Sequence, residues 1–350
     1  MSTQLDWAVG IGKESSYGAI ASPTRFFETE AKMDHKITKT QGRGVRPGKA
    51  LGSVARHAVT RREVSGDFDL DVTSKGFGML LEAALGSYAE STFGDGFTPP
   101  GSLKLFRGTL AATDPMPSYT IWEVVPFIGG ANGPALRFSG CVADSITFDL
   151  KPGGFLTAKV SWVGRMLAEV ASAPATVYPA GDSLLGFTNA WAYLIDSSTD
   201  EIGPPGASGD AWPRPLGENS AALDVKEFSL TVKNNLDGEG FNLGGNGHRS
   251  RRPVLGKREV TGSLTVEFWD NRIPAWYRNQ TPLSLCVNVP ADDYQNNGLS
   301  ILAPCVKLGG DTPKSNGGSP ATLSVPFDVL DSPEWPTPLT VWYLTGDTAP

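Results

Sequence analysis

The chain contains two copies of one alternating pattern, and this repeat limits its possible folds more than any other feature. Residues 62–72 read REVSGDFDLDV, and residues 258–268 read REVTGSLTVEF at an offset of 196. Every second residue is apolar in both segments, which is typical of a strand with one buried face. Each copy follows a strand-like run and a long, basic, glycine-rich loop. The sequence therefore predicts a tandem duplication of one β-rich unit.

Two later segments support the duplication: residues 138–142 match residues 302–306, and residues 153–163 match residues 319–329. The first match aligns Cys141 with Cys305 at an offset of 164. The offset falls because the first copy carries an insertion rich in glycine and proline, at about residues 87–118.

The predicted fold is mainly β, with two tandem sandwich-type units that each carry one short helix and one long hairpin loop. We assign residues 1–24 to an N-terminal arm, 25–172 to the first unit and 173–350 to the second, with a linker at 171–183. Ser74 is expected to cap the first helix, which Gly86 ends. Asp270 is expected to cap the second helix.

Composition favours a globular protein rich in turns. The 350 residues include 41 glycines and 27 prolines, and 19% are charged. No apolar run reaches the ~18 residues that a membrane helix needs. The N-terminus lacks the basic and apolar segments of a signal peptide, and three cysteines make a poor disulfide framework. We expect synthesis in a reducing cytoplasm.

The charge distribution separates two basic loops from an acidic remainder. The net charge is −7, yet residues 36–62 and 241–258 hold eight and five basic residues and no acidic ones. The rest of the chain then has 17 basic residues against 37 acidic ones, a balance of −20. Surfaces of opposite sign favour association between copies of the chain.

The residues that catalysis or metal binding would need are not grouped in this sequence. His35, His57 and His248 are the only histidines, and the two in the basic loops, His57 and His248, have no acidic neighbour and no partner at helical spacing. Residues 10–14 are not a phosphate loop, because Trp7 stands where the motif needs its first glycine and Glu14 stands where it needs a serine or threonine. Three aspartates at alternate positions of one strand lie ~7 Å apart, too far to share one ion without other ligands. We predict no enzyme activity, no cofactor and no bound metal.

Several segments in order resemble the tail tube proteins of phages with long, non-contractile tails. These segments are VGIGKESSYGA at 9–19, PTRFF at 23–27, VSGDF at 64–68, GFGMLLEAALG at 76–86 and the closing strands at 141–164. The resemblance implies a β-sandwich with a flanking helix and a long loop. It also implies that inner sheets of neighbouring subunits join around a lumen, that rings stack into a tube, and that the genome passes through it. The protein would then be assembled in the host cytoplasm and located in the virion tail.

Many such relatives carry one unit and form six-membered rings, whereas this chain carries two. We therefore predict that three chains close one ring, with true threefold and approximate sixfold symmetry. Predicted partners are copies of the chain, other tail proteins at the tube ends, and DNA that passes without specific binding. No membrane partner is expected.

Two sets of residues are candidate sites for this function. The predicted ring-to-ring contacts come from the basic loops: Arg43, Arg46, Lys49, Arg56, Arg249, Arg251 and Arg252. The predicted lumen lining is acidic, because phosphate binds where basic residues neutralise its charge: Asp67, Asp69, Asp71 and Glu267.

Other functions remain open on the sequence alone. The inner tube of a contractile tail or injection machine would have the same features. A capsid decoration or baseplate protein would form small closed oligomers. A carbohydrate-binding sandwich would need paired carboxylates beside exposed aromatic residues, and nucleic-acid binding by the loops would favour interleaved aromatic residues.

Overall fold

Antiparallel strands form most of the protein. A computed structural model of the chain describes residues 7–93, 103–111, 116–125, 134–206, 211–216, 222–267, 271–291, 297–310 and 322–347. Within these ranges, most strands belong to one large paired network, and every pairing between named strands is antiparallel. The predicted mainly β, sandwich-type fold is confirmed.

The first half comprises ten strands and one α-helix among the described residues. They are β1 (Ala8–Lys13), β2 (Arg25–Phe27), β3 (Glu30–Gln41), β4 (His57–Asp71), α1 (Gly78–Leu85), β5 (Gly86–Ser91), β6 (Lys104–Leu110), β7 (Tyr119–Val124), β8 (Ala135–Leu150), β9 (Thr157–Gly164) and β10 (Met166–Val170).

The second half comprises nine strands and one α-helix among the described residues. They are β11 (Trp191–Asp196), β12 (Ile202–Gly203), β13 (Arg214–Pro215), β14 (Val225–Lys233), β15 (Glu259–Glu267), α2 (Arg272–Asn279), β16 (Leu283–Pro290), β17 (Gly298–Leu308), β18 (Thr322–Val329) and β19 (Thr340–Thr345).

One sheet, which we call the inner sheet, continues through both halves. Its strands pair in the order β3–β4–β9–β8–β14–β15–β18–β17. Alternation sets its two faces: Phe68 and Leu264 are buried, while their neighbours Asp67 and Ser263 lie on the opposite face. The apolar side packs on the core, and the other side forms a polar face.

The outer strands cover the apolar side of the inner sheet and complete a sandwich in each half. Their order is β2–β1–β7–β8–β10 in the first half and β11–β16–β17–β19–β6–β5 in the second. β8 and β17 each change from outer to inner sheet along their length. In β8 the change lies beside Gly140, whose φ of 67° few residues with a Cβ adopt.

The two halves therefore have the same order of paired strands, but the register corrects the sequence alignment by one residue. An irregularity at the same point places Tyr119 opposite Cys141 and Leu283 opposite Val306. Cys141 thus corresponds to Val306, which is also buried, and not to the partly exposed Cys305. A slip of one residue exchanges the faces of a strand, which composition alone does not detect.

The same correction applies to the second matched segment. Phe68 pairs with Val160, and Leu264 pairs with Val325, which sets the offset at 165 residues. The sequence match of residues 153–163 with residues 319–329 has an offset of 166, which is one residue too large.

Three further expectations differ from the structure. Residues 8–13, assigned to an arm, form the buried strand β1 between β2 and β7. Ser74 does not cap α1; its hydroxyl accepts a hydrogen bond from the amide of Ser183 (2.9 Å). The predicted insertion at 87–118 contains β5 and β6, which extend the outer sheet of the second half. The expected cap Asp270 lies outside the described residues.

The hydrophobic core is continuous between the halves. The rings of Phe77 and Tyr343 lie 6.5 Å apart, and the Tyr343 hydroxyl donates to the carbonyl of Thr73 at 2.8 Å. Gly86 ends α1 in the left-handed conformation with a φ of 86°, as predicted. Among the described residues, neither helix has the length and apolar character that crossing a membrane requires.

Candidate assembly surfaces

A long hairpin formed by β3 and β4 projects beyond the inner sheet. β9 pairs with β4 only from Val64 to Asp71, whereas β3 and β4 stay paired as far as Gln41 and His57. The free part is exposed along nearly all of residues 36–60. We call residues 42–56 the hairpin tip.

The hairpin tip concentrates positive charge around a shallow cavity of about 410 Å³. Arg46, Lys49 and Arg56 line the cavity, and Arg43 is exposed beside it. The amide of Gly42 donates to the carbonyl of Arg56 at 2.7 Å, which closes the base of the tip. The structure thus brings together the four predicted contact residues of the first loop on one projecting element.

The second basic loop, residues 234–258, does not project. It leaves the β14–β15 ladder at Lys233 and folds against the first half, where the amide of Arg62 donates to the carbonyl of Gly247 at 2.7 Å. The Arg61 guanidinium lies 4.0 Å from the centre of the Phe241 ring.

Arg249 is therefore not a surface contact. Only 6% of it is exposed, and its guanidinium donates to the carbonyls of Gly164 and Gly238, each at 2.5 Å. Burial lowers the pKa of Arg249. Its prediction as a ring-to-ring contact was wrong, because the sequence does not reveal that the first half covers this loop.

The other two predicted contact residues of this loop, Arg251 and Arg252, are partly buried. Arg251 forms an ion pair with Asp237. Arg252 and Arg165 each lie near the ring of Tyr17, at 5.8 Å and 5.7 Å. Burial raises the pKa of Tyr17 to about 12. Arg252 thus contributes to packing between the loop and the first half, whereas the pair of Arg251 with Asp237 lies within the loop.

The four predicted lumen residues lie on the polar face of the inner sheet. One row of paired residues crosses seven strands of that face: Glu30, Asp69, Lys159, Thr147, Thr231, Thr261 and Asp328. Lys159 lies 3.3 Å from Asp67 and 3.9 Å from Asp69, and Lys226 lies 2.8 Å from Glu267. These lysines reduce the negative charge that the sequence predicts for the face.

The two halves join edge to edge at a seam between β8 and β14. Six residue pairs form it, from Phe228 opposite Leu150 to Lys233 opposite Ser145. The Thr147 and Thr231 hydroxyls lie 3.0 Å apart on its polar side. Buried Asn234 donates at 2.9 Å to the carbonyls of both Ala84 and Ala143, which fixes the end of the seam.

Sequence reasoning missed two buried carboxylates in the outer sheet of the first half. Glu14 accepts hydrogen bonds from the amides of Gly18 and Gly140, at 2.7 Å and 2.8 Å. Glu123 is 3% exposed, and burial raises its pKa to about 7. Nothing in the local sequence marks either residue, because their burial depends on distant strands.

No cluster for metal binding forms within the described ranges: histidine, cysteine, aspartate and glutamate side chains do not come together there in groups of three or more.

Comparison with known proteins gives one result that covers nearly the whole chain. A family model described as phage tail tube protein matches residues 6–329. No curated protein sequence matches the chain.

Proposed function

Because the chain belongs to the family of phage tail tube proteins, we propose that three copies close a ring and that rings stack into the tube through which the genome leaves the capsid. Family membership makes the protein a structural component of the virion tail. The proposal adds the stoichiometry, the surfaces and the lumen.

The seam between β8 and β14 is the observation that carries this proposal. It joins two four-stranded sheets of equivalent order into one eight-stranded sheet inside a single chain. We infer that the halves are copies of one unit and that the contact between chains repeats the seam. An open sheet edge invites pairing of this kind, and closure into a ring removes it.

The free edges fit that arrangement. β3 pairs only with β4 in the described part of the chain, so its other edge is open from Glu30 to Gln41. Met33 on this edge corresponds to Leu230 at the seam, since they pair with the equivalent glycines Gly66 and Gly262. In the ring, β3 would meet the end of the inner sheet of the next chain.

The number of strands sets the width of the lumen that three chains would enclose. Three eight-stranded sheets contain 24 strands, which at about 4.8 Å spacing and about 40° tilt form a barrel about 48 Å across. Six chains would double that diameter, far beyond the need of one duplex. The polar face would line this lumen, with Asp67, Asp69, Asp71 and Glu267 opposing the retention of DNA.

A substitution at the open edge tests ring closure. We expect Met33→Asp to leave a folded monomer that cannot form rings, because a carboxylate would be buried without a partner at the contact. The matched variant Met33→Leu keeps an apolar side chain and is expected to form rings. Size-exclusion chromatography with light scattering separates the two outcomes, and circular dichroism checks the fold. Rings formed by a folded Met33→Asp protein would contradict closure through β3.

A further inference from the structure

We propose that an acidic groove at the far end of β3 and β4 receives the hairpin tip of a chain in the neighbouring ring. This inference rests on the proposed function, since it names the acceptor surface for ring stacking. Each axial contact would then join the two opposite ends of the same kind of hairpin.

The groove has a volume of about 550 Å³ and the opposite charge to the tip. Five carboxylates and one lysine line it: Glu28, Glu30, Asp69, Asp71, Asp149 and Lys159. Lys159 and Lys32 lie within 3.9 Å of Asp69. Within the described residues, Glu28, Asp71 and Asp149 have no ion pair, so three carboxylates are available to a cationic partner.

The positions of tip and groove favour contact between rings. The groove lies where β3 begins and β4 ends, and the tip joins the other ends of these strands. The 15 residues of β4 span about 50 Å at about 3.3 Å each. Strands in a barrel tilt about 35–45° from its axis, so their two ends lie on opposite rims of a ring.

Apolar groups provide a second, independent match. Val45, Leu51 and Val54 of the hairpin tip are 59%, 83% and 87% exposed, which is unfavourable for a surface that stays in water. An apolar pocket of about 280 Å³ lies at the same end of β8 as the groove, on the apolar side of the inner sheet. It begins at Leu150, next to Asp149 of the groove, and Phe187, Trp191 and Leu223 also line it. The rim thus offers both a site for cations and a site for apolar side chains.

The alternative is that the hairpin tip contacts a neighbouring chain within the same ring. The second basic loop makes a lateral contact of this kind with the first half. Its strands, however, stop pairing at Lys233, so the loop can fold sideways. The first hairpin instead keeps its ladder to Gln41 and extends along the strand direction. The hairpin thus extends beyond Val64, where the pairing of β9 with β4 ends.

Charge reversal on each surface tests the inference in the full-length protein. A groove variant carries Glu28→Lys, Asp71→Lys and Asp149→Lys, and a tip variant carries Arg43→Glu, Arg46→Glu and Lys49→Glu. We expect each variant alone to form rings without tubes, whereas mixing their rings restores tubes, because every contact then joins opposite charges. A control with Glu169→Lys, Asp331→Lys and Glu334→Lys has the same net charge as the groove variant and is expected to form tubes.

Electron microscopy of the variants gives clear outcomes. Tubes of unchanged length from the groove variant, or a mixture that remains as single rings, would overturn this inference while leaving tube formation by the unaltered protein intact. If the unaltered protein formed no tubes, the proposed function itself would fail.

Cross-linking of unaltered tubes tests the inference without a variant that has to fold. A zero-length amine–carboxyl reagent should join Lys49 to a carboxylate of the groove in tubes and not in isolated rings. Links from Lys49 to the second half in isolated rings would instead establish lateral contact and contradict the inference.

Discussion

At the scale of single residues, Arg249 joins the two halves of the chain through backbone carbonyls. Its guanidinium contacts Gly164 in the first half and Gly238 in its own loop, and no carboxylate pairs with it in the described ranges. Removing the side chain would leave buried carbonyls without a donor, which costs more than loss of an exposed contact.

We therefore expect Arg249→Ala to lower the free energy of unfolding by about 2–4 kcal/mol. The partly exposed Arg252 is the matched control, and Arg252→Ala should cost less than about 1 kcal/mol. Urea unfolding of the monomer measures both values. Equal losses for the two variants would show that Arg249 does not hold the loop in place.

Glu123 makes stability depend on pH. The pKa of this carboxyl rises from 4.5 to about 7 on folding, because burial disfavours its charged form. The folded protein thus binds the proton more tightly. The resulting stabilisation is complete below pH 4.5 and is lost as the pH rises through about 7.

Replacing Glu123 with Gln should remove this dependence. At pH 8 we expect Glu123→Gln to be more stable than the unaltered protein by on the order of 2–3 kcal/mol, with little difference at pH 4. Thermal unfolding across this range measures the effect, with the exposed Glu169→Gln as control. A difference between the proteins that does not change with pH would contradict a raised pKa.

At the scale of elements, the projecting hairpin allows the proposed ring stacking to be tested apart from ring closure. Its tip takes no part in the seam or in the core, so charge reversal there should leave folding and ring closure unchanged. We expect Arg43→Glu, Arg46→Glu and Lys49→Glu together to block stacking. The variant with Arg43→Lys, Arg46→Lys and Lys49→Arg keeps the charge and should stack normally.

Sedimentation and electron microscopy distinguish rings from tubes in this comparison. Because the proposed contact joins surfaces of opposite charge, high salt should weaken stacking in the unaltered protein as well. Normal tubes from the charge-reversed protein would exclude the tip as the axial contact.

The elements also show what a sequence can reveal. β14 is a strand that its sequence reveals, because Phe228, Leu230 and Val232 alternate with polar residues and one face is buried. β1 was missed, because nearly all its residues are buried between two strands and it shows no alternation. The one-residue error at Cys305 arose because a composition match does not fix register.

The candidate sites follow the same division. Exposed charge on a long loop was visible in the sequence, so the hairpin tip was found. The burial of Arg249 and the lysines beside Asp67, Asp69 and Glu267 depend on contacts between distant strands, and local patterns do not contain this information.

At the scale of the whole molecule, one chain contains a sheet contact of the kind that would close a ring. The seam joins equivalent sheets, β3 offers an open edge, and β5 and β6 of the first half complete the outer sheet of the second. The halves are thus tied together at both layers. This arrangement favours a ring in which pairs of units are covalently fixed.

Electron cryomicroscopy of assembled tubes tests this account most directly, because it counts the chains in each ring. We predict three chains per ring, six similar units around the axis, and both halves of every chain in the same ring. Six chains per ring, or the two halves of one chain in successive rings, would contradict it.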